Sequence, residues 1–208
     1  MMKIVNPKIK KCIESSFEEC LKNNNFENII INSNVKMKIV IENIDFNSCI
    51  FDNIDFSNIE LINVNLIDCI FKSCDLSNKN FSEKLIERCE FINSKLLGVS
   101  FIDSSIKDVY IDSSLLKYSN FSGSSINKLL IENSNLTESY FIESKIKNIC
   151  FYRNIFDKTE FFNVNLKDVD FSSSDIRNII FDSASLKGIV IEPLQSQFLV
   201  GMLGVKFI

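Results

Sequence analysis

The chain has 208 residues, 46% of them apolar, and a formal net charge of −4, which is ample material for one continuous core. Histidine is absent, so the commonest general base, the usual partner of a nucleophilic Ser or Cys, and the commonest metal ligand are all missing. Most hydrolytic and zinc chemistry is thereby excluded.

From the N-terminus, Asn6 and Pro7 have the character of a helix N-cap and first position, and Ile9, Cys12, Ile13, Phe17, Cys20 and Leu21 follow helical spacing. This predicts an N-terminal segment, 1–25, built on a capping helix over about 7–22 and ended by Asn23 to Asn25. Met1 to Lys11 carry Lys without the apolar stretch of a signal peptide, and no window approaches the roughly 18 uninterrupted apolar residues of a membrane span. A cytoplasmic protein that does not enter a membrane is expected.

Repeat-like centres begin at Phe26 and Ile31, and Lys36 interrupts their frame. From Ile41 onward every fifth residue is Phe, Leu or Ile without exception, through Phe46, Phe51, Phe56, Leu61 and Leu66 to Phe181, Leu186 and Ile191. A period of five matches neither the 3.6 of a helix nor the 2 of a long strand, so each repeat must be a short extended piece followed by a corner. Two residues after most centres stands Asn, Asp, Ser or Gly, as at Asn43, Asn53, Asn58, Asn63, Asn93, Gly98, Gly123, Asn133, Asn163 and Gly188. These residues tolerate left-handed backbone or bond locally to it.

Two residues before the centres, small or β-branched side chains dominate, among them Cys49, Val64, Cys69, Ser94, Ser104, Ser114, Ser119, Ser134, Val164, Ser174 and Ala184. A second period of twenty sets Phe81, Phe101, Phe121, Phe141, Phe161 and Phe181 in one register and Leu66, Ile86, Ile106, Ile126, Ile146, Leu166 and Leu186 in the next. Four repeats therefore close one coil. The fold expected over 26–191 is all-β: a right-handed quadrilateral β-helix with coils about 4.8 Å apart and short capping helices at both ends.

Lys79 and Lys84 occupy consecutive small inner positions of one coil. Isolated buried ammonium groups are too costly to keep charged, which predicts a local distortion that turns both lysines outward. Cys49, Cys69 and Cys89 form a ladder at twenty-residue spacing, read as a small polarizable hydrophobe filling stacked inner positions rather than as a metal or redox site. No CxxC pair exists, and with seven cysteines in all, reduced thiols are expected. The inner serines have no histidine to activate them and read as small residues bonded to backbone. A binding surface without cofactor or metal is expected, not an enzyme.

Over residues 192–208 the frame stops at Glu192-Pro193; Leu194 to Leu203 reads as a short helix closed by Gly204 and followed by the apolar strand Val205 to Ile208. Its apolar residues surround the helix, and a rod end can cover only one face. Homodimerisation through Leu194, Phe198, Leu199, Met202, Leu203, Val205 and Phe207 is the expected solution.

The repeats resemble the pentapeptide-repeat family over roughly 26–191, and more narrowly the Qnr-type quinolone-resistance proteins. Two segments carry the narrower likeness: Ile70-Phe71-Lys72-Ser73-Cys74-Asp75-Leu76-Ser77, and Leu186-Lys187-Gly188-Ile189-Val190-Ile191-Glu192-Pro193-Leu194-Gln195 running on to Leu203-Gly204-Val205. The resemblance implies a rod-like dimer whose acidic surface imitates duplex DNA, engages DNA gyrase or topoisomerase IV and protects it from quinolones. Residues 1–40 carry 7 basic and 4 acidic side chains, whereas 41–191 carry 15 basic and 22 acidic ones, a balance that repels nucleic acid and suits a basic partner surface. Candidate contacts are Asp52, Asp112 and Glu132 on one side of the rod and Asp68, Asp108 and Asp168 on another. Many Qnr proteins interrupt the repeat with projecting loops; this frame has none from 41 to 191, so contacts borne by such loops are not carried over.

Overall fold

Each five-residue repeat builds one side of a four-sided coil, and residues twenty apart lie side by side in parallel register. Phe71 pairs with Phe51 and Phe91, and Ile106 with Ile86 and Ile126. The computed structural model describes residues 2–202 and forms a β-solenoid of about 8 turns. The sides of one coil are named here by their centres Phe81, Ile86, Phe91 and Leu96.

The corners form where expected. Asn43, Asn53, Asn63, Asn93 and Asn133 have φ of 57°, 57°, 55°, 51° and 49°, and Gly98, Gly123 and Gly188 share the left-handed region. Asn58 departs, because it ends a short 3-10 turn, Phe56–Asn58. Glu83, Arg88, Tyr118, Lys128, Glu138, Glu143, Arg153 and Lys158 are also left-handed, although such side chains disfavour it by about 1–2 kcal/mol each. Neighbouring coils hold them there: the Arg88 N–H donates to the Lys107 carbonyl and the Glu138 N–H to the Asp157 carbonyl, each at 2.9 Å.

After the Phe81 and Leu96 centres the corner closes as a four-residue turn, with the Val99 N–H donating to the Leu96 carbonyl at 3.3 Å and the Ser124 N–H to the Phe121 carbonyl at 3.2 Å. Left-handed backbone at the third position is the signature of a type II turn. Between the Ile86 and Phe91 sides the chain instead runs through the corner as strand, giving the longest strands, Ser105–Asp112, Ser125–Glu132 and Lys145–Tyr152.

Every centre from Ile41 to Phe181 except Ile146 is buried. The rings of Phe81, Phe101, Phe121, Phe141, Phe161 and Phe181 stack at successive centroid distances of 5.8, 4.9, 4.6, 4.9 and 5.5 Å. Full burial of one such side chain is worth about 1.5–3 kcal/mol before chain entropy is subtracted. Ile146 is only partly buried because the register between Ser125–Glu132 and Lys145–Tyr152 slips, setting Asn127 opposite Asn148.

The inner serines join the coils. The amides of Cys74, Ser94 and Ser114 donate to Oγ of Ser94, Ser114 and Ser134 at 3.1, 3.0 and 3.0 Å. Asn154 Oδ1 and Ser174 Oγ continue the line by accepting from the amides of Ser134 and Asn154. Polar groups inside the wall are thus satisfied within it, as burial requires. Ala184 is exposed, contrary to its expected inner place; Ser185 is buried there and accepts from the Val164 N–H at 3.0 Å.

The N-terminal end departs most from expectation. The helix predicted over 7–22 is only Phe17–Lys22, α1, and its N-cap is Ser16, whose Oγ accepts from the Glu19 N–H at 3.2 Å. Phe17 and Cys20 are buried from it, and Phe17 stacks on Phe51 at 6.0 Å, so α1 does cover the first coil. Residues 2–12 are not helical: Pro7 starts no helix, and the segment lies as an arm along the solenoid. At the other end a 3-10 turn, Pro193–Gln195, leads into α2, Ser196–Met202. Among the described residues no helix is long and apolar enough to cross a membrane.

Candidate interaction surface

Ser48, Asp68, Arg88, Asp108 and Lys128 stand one above another on the corner between the Ile86 and Phe91 sides, all with left-handed backbone. That conformation aims their side chains along the corner, where charges alternate. Arg88 Nε lies 2.6 Å from Asp68 Oδ1 and Arg88 Nη2 lies 2.8 Å from Asp68 Oδ2, while Lys128 Nζ lies 3.4 Å from Asp108 Oδ1. Arg88 also bonds Glu87, which pairs with Lys107 at 2.8 Å.

The N-terminal arm lies on this corner. Amides of Lys10, Lys8 and Val5 donate to Ser48 Oγ at 3.0 Å, Asp68 Oδ1 at 2.7 Å and Asp108 Oδ1 at 3.0 Å. Extended chain advances about 3.3 Å per residue and coils about 4.8 Å, so five residues of arm match the three coils between Ser48 and Asp108. Met2, Ile4, Pro7 and Ile9 are half-buried, whereas Lys3, Lys8, Lys10 and Lys11 are exposed. Burial opposes the charged form of Asp68, but Arg88 and the Lys8 amide more than offset this, and the carboxyl lies below its ordinary range.

Two expected acidic contacts therefore need correction. Asp68 and Asp108 are 7% and 4% exposed, since the arm covers them and cations on their own corner neutralise them. Sequence reading missed the arm because Ile4, Pro7 and Ile9 are too few to reveal alternation. Asp168 lies exposed further along the rod.

Asp52, Asp112 and Glu132 do share the Phe91 side. Asp112 pairs in register with Glu132, while Lys72 is the neighbour of Asp52. Asp52 is exposed and the other two half-buried. The Tyr110 hydroxyl donates to Glu132 Oε2 at 2.9 Å and Asn133 Nδ2 to Asp112 Oδ1 at 2.8 Å. Burial, then the adjoining Glu132, raises the Tyr110 hydroxyl pKa and keeps it a donor.

At the C-terminal end Gln195 is buried, and its Nε2 donates to the carbonyls of Phe171 at 3.1 Å and Ser174 at 2.8 Å. Those carbonyls face the place of a further coil, so Gln195 closes the ladder. Its Oε1 accepts from the Glu192 N–H at 2.8 Å, fixing the entry to α2. Leu199 is buried and Phe198 packs partly against the core, whereas Leu194 is 79% exposed. Leu203, Val205 and Phe207 lie outside the described residues, as does the side chain of Met202.

The lysines of the irregular coil turn outward as predicted. Lys79 Nζ donates to the Ile59 carbonyl at 2.6 Å and Lys84 Nζ to Asn63 Oδ1 at 2.8 Å, and both line a surface cleft. The cysteine ladder is inner wall: Cys49, Cys69 and Cys89 are buried, and their thiols donate to the carbonyls of Phe26, Phe46 and Leu66. Burial raises the Cys69 thiol pKa well above its ordinary value and that of Cys74 to about 11, so neither is a ready thiolate nucleophile. All seven cysteines are unpaired. Among the described residues no three Cys, Asp or Glu side chains gather as a metal site would require.

Two family models match these coils, one described as pentapeptide repeat region over residues 64–141 and one as pentapeptide repeats (8 copies) over residues 42–78. Residues 42–141 thus form a pentapeptide-repeat region. No curated protein sequence matches the chain. Its fold is similar to solved structures of QnrB1, a plasmid-mediated fluoroquinolone resistance protein. The full-length form is 22% identical with a TM-score of 0.52, covering 88% of this chain and 93% of that one. A trypsin-treated variant of QnrB1 is 23% identical with a TM-score of 0.52, covering 88% of each chain. HetL, a pentapeptide repeat protein involved in heterocyst differentiation regulation from the cyanobacterium Nostoc, is 13% identical with a TM-score of 0.35, covering 85% of this chain and 97% of that one. At these identities the likeness is one of fold.

Proposed function

We propose that this protein is a non-enzymatic DNA mimic that binds a type II topoisomerase, DNA gyrase or topoisomerase IV, and protects it from quinolones. The observation that carries the reading is the Phe91 side, where Asp112 and Glu132 stand in register on neighbouring coils of the parallel sheet. With Asp52 on the same side and Asp168 beyond, they belong to a repeat body carrying 22 acidic against 15 basic side chains over 41–191. A topoisomerase must offer a basic groove to the phosphate backbone, and a rigid acidic rod can compete for it.

Dimerisation through the C-terminal module belongs to the same proposal. Leu194 is a large apolar side chain left open at the rod end while Leu199 faces the core, which supports a contact between two copies there.

Competition with labelled duplex DNA for purified gyrase at low salt tests the reading. The protein should displace DNA with an affinity that falls as salt rises. Absence of binding at low salt would favour a second reading, an interaction scaffold for a different partner. That alternative draws support from the arm over Asp68 and Asp108, which removes two carboxylates from the free surface.

A further inference from the structure

In the two inner columns that hold Lys79 and Lys84, neighbouring coils carry Ile59, Val99 and Ser119 in one and Val64, Ser104 and Ser124 in the other, all buried. A lysine in either place must thread its stem along the wall and bring its ammonium to the surface. Here two consecutive sides do so into one cleft of about 600 Å³, whose rim also bears Lys38, Asn78, Asn80 and Ser82. Each ammonium has three donors. Lys79 uses one on the Ile59 carbonyl and Lys84 one on Asn63 Oδ1, which leaves donors for a guest. Lys38 pairs with Glu60 at 2.8 Å, so three ammonium groups face one carboxylate. Burial lowers the Lys79 pKa despite nearby carboxylates: the cation has lost water without gaining a full ionic partner.

We propose that this cleft binds a small phosphorylated anion, between diphosphate and nucleotide in size, bridged by Lys79 and Lys84. Its volume lies within the roughly 300–1,000 Å³ of small-molecule sites. The lysines supply charge-assisted donors, and Ser82, Asn78 and Asn80 supply neutral ones. A long nucleic-acid backbone is disfavoured, since Glu60 lines the cleft and exposed Glu83 stands between Ser82 and Lys84. The site is independent of topoisomerase binding.

The decisive variant is Lys79→Val with Lys84→Ser, which installs the residues found one coil further on, Val99 and Ser104, and so favours folding. Inorganic pyrophosphate is titrated into the full chain at constant ionic strength, with thermal unfolding of both proteins followed in parallel. Saturating pyrophosphate should raise the wild-type Tm by about 3 °C or more, the shift that about 1 kcal/mol produces at this size. The variant should unfold at a higher temperature without ligand and gain nothing from pyrophosphate. An unchanged wild-type Tm, or an equal rise in both proteins, would overturn the proposal. Lysine-dependent binding of duplex DNA without binding of pyrophosphate would overturn the small-ligand assignment.

Discussion

The backbone N–H of Lys8 donates a 2.7 Å hydrogen bond to Oδ1 of Asp68, across a sequence separation of 60 residues. The same carboxylate receives Arg88, so arm and solenoid share one charged node. The depressed Asp68 pKa means that the folded state holds the ionised form more firmly than the unfolded chain does. This stabilisation is fully present above the unfolded carboxyl value, about 3.9, and is lost as pH falls through the lower folded value. Exchange of the Lys8 amide should therefore stay slow from neutral pH down to about pH 4 and lose its protection below that. Asp68→Ala should cost about 2–3 kcal/mol, because it leaves Arg88 with Glu87 alone and removes the middle anchor of the arm. Unchanged stability and unchanged Lys8 protection in that variant would contradict the strapping role.

Gln195→Ala should lower stability by about 1–3 kcal/mol, since it leaves the Phe171 and Ser174 carbonyls without a partner at the end of the core. Gln197→Ala, two residues on and exposed, should fall within about 0.5 kcal/mol of the parent. Urea unfolding of the pair checks this, and equal effects would remove Gln195 from its capping role.

Phe121→Ala opens a cavity between Phe101 and Phe141, whose rings lie 4.9 and 4.6 Å away. A loss of about 3–5 kcal/mol is expected. Ile146→Ala, at the one centre between Ile41 and Phe181 that is only partly buried, should cost less than half as much. Chemical denaturation of both variants distinguishes a column with one slipped rung from a uniformly packed one.

The coils were legible in the sequence because one physical requirement recurs: an apolar side chain must enter the core every five residues and a corner must follow. Phe101, Phe121 and Phe141 announce themselves in this way. The arm was not legible, because its binding depends on amides of Val5, Lys8 and Lys10, which every sequence possesses, meeting acceptors up to 103 residues away. Ile9, Cys12, Ile13 and Phe17 are spaced as in a helix, but tertiary contacts hold only Phe17–Lys22 in that form. The slip near Asn127 was hidden for a related reason: the five-residue spacing continues through Ile146 while the pairing shifts. The acidic surface was half legible, with Asp52, Asp112 and Glu132 on one side as spacing requires and Asp68 and Asp108 beneath the arm.

Leu194→Glu places a charge on the open rod end without touching the packed Leu199. Light scattering should report a dimer for the parent and a monomer for the variant, with little change in unfolding temperature. A monomeric parent, or a variant of unchanged mass, would remove Leu194 from a dimer contact.

Supercoiling by purified gyrase in the presence of a quinolone tests the central claim most directly. The account predicts that the protein restores supercoiling in a dose-dependent manner and that Asp112→Asn with Glu132→Gln weakens the effect while the rod stays folded. Failure of the parent protein to relieve inhibition at any concentration, at low salt, would contradict it.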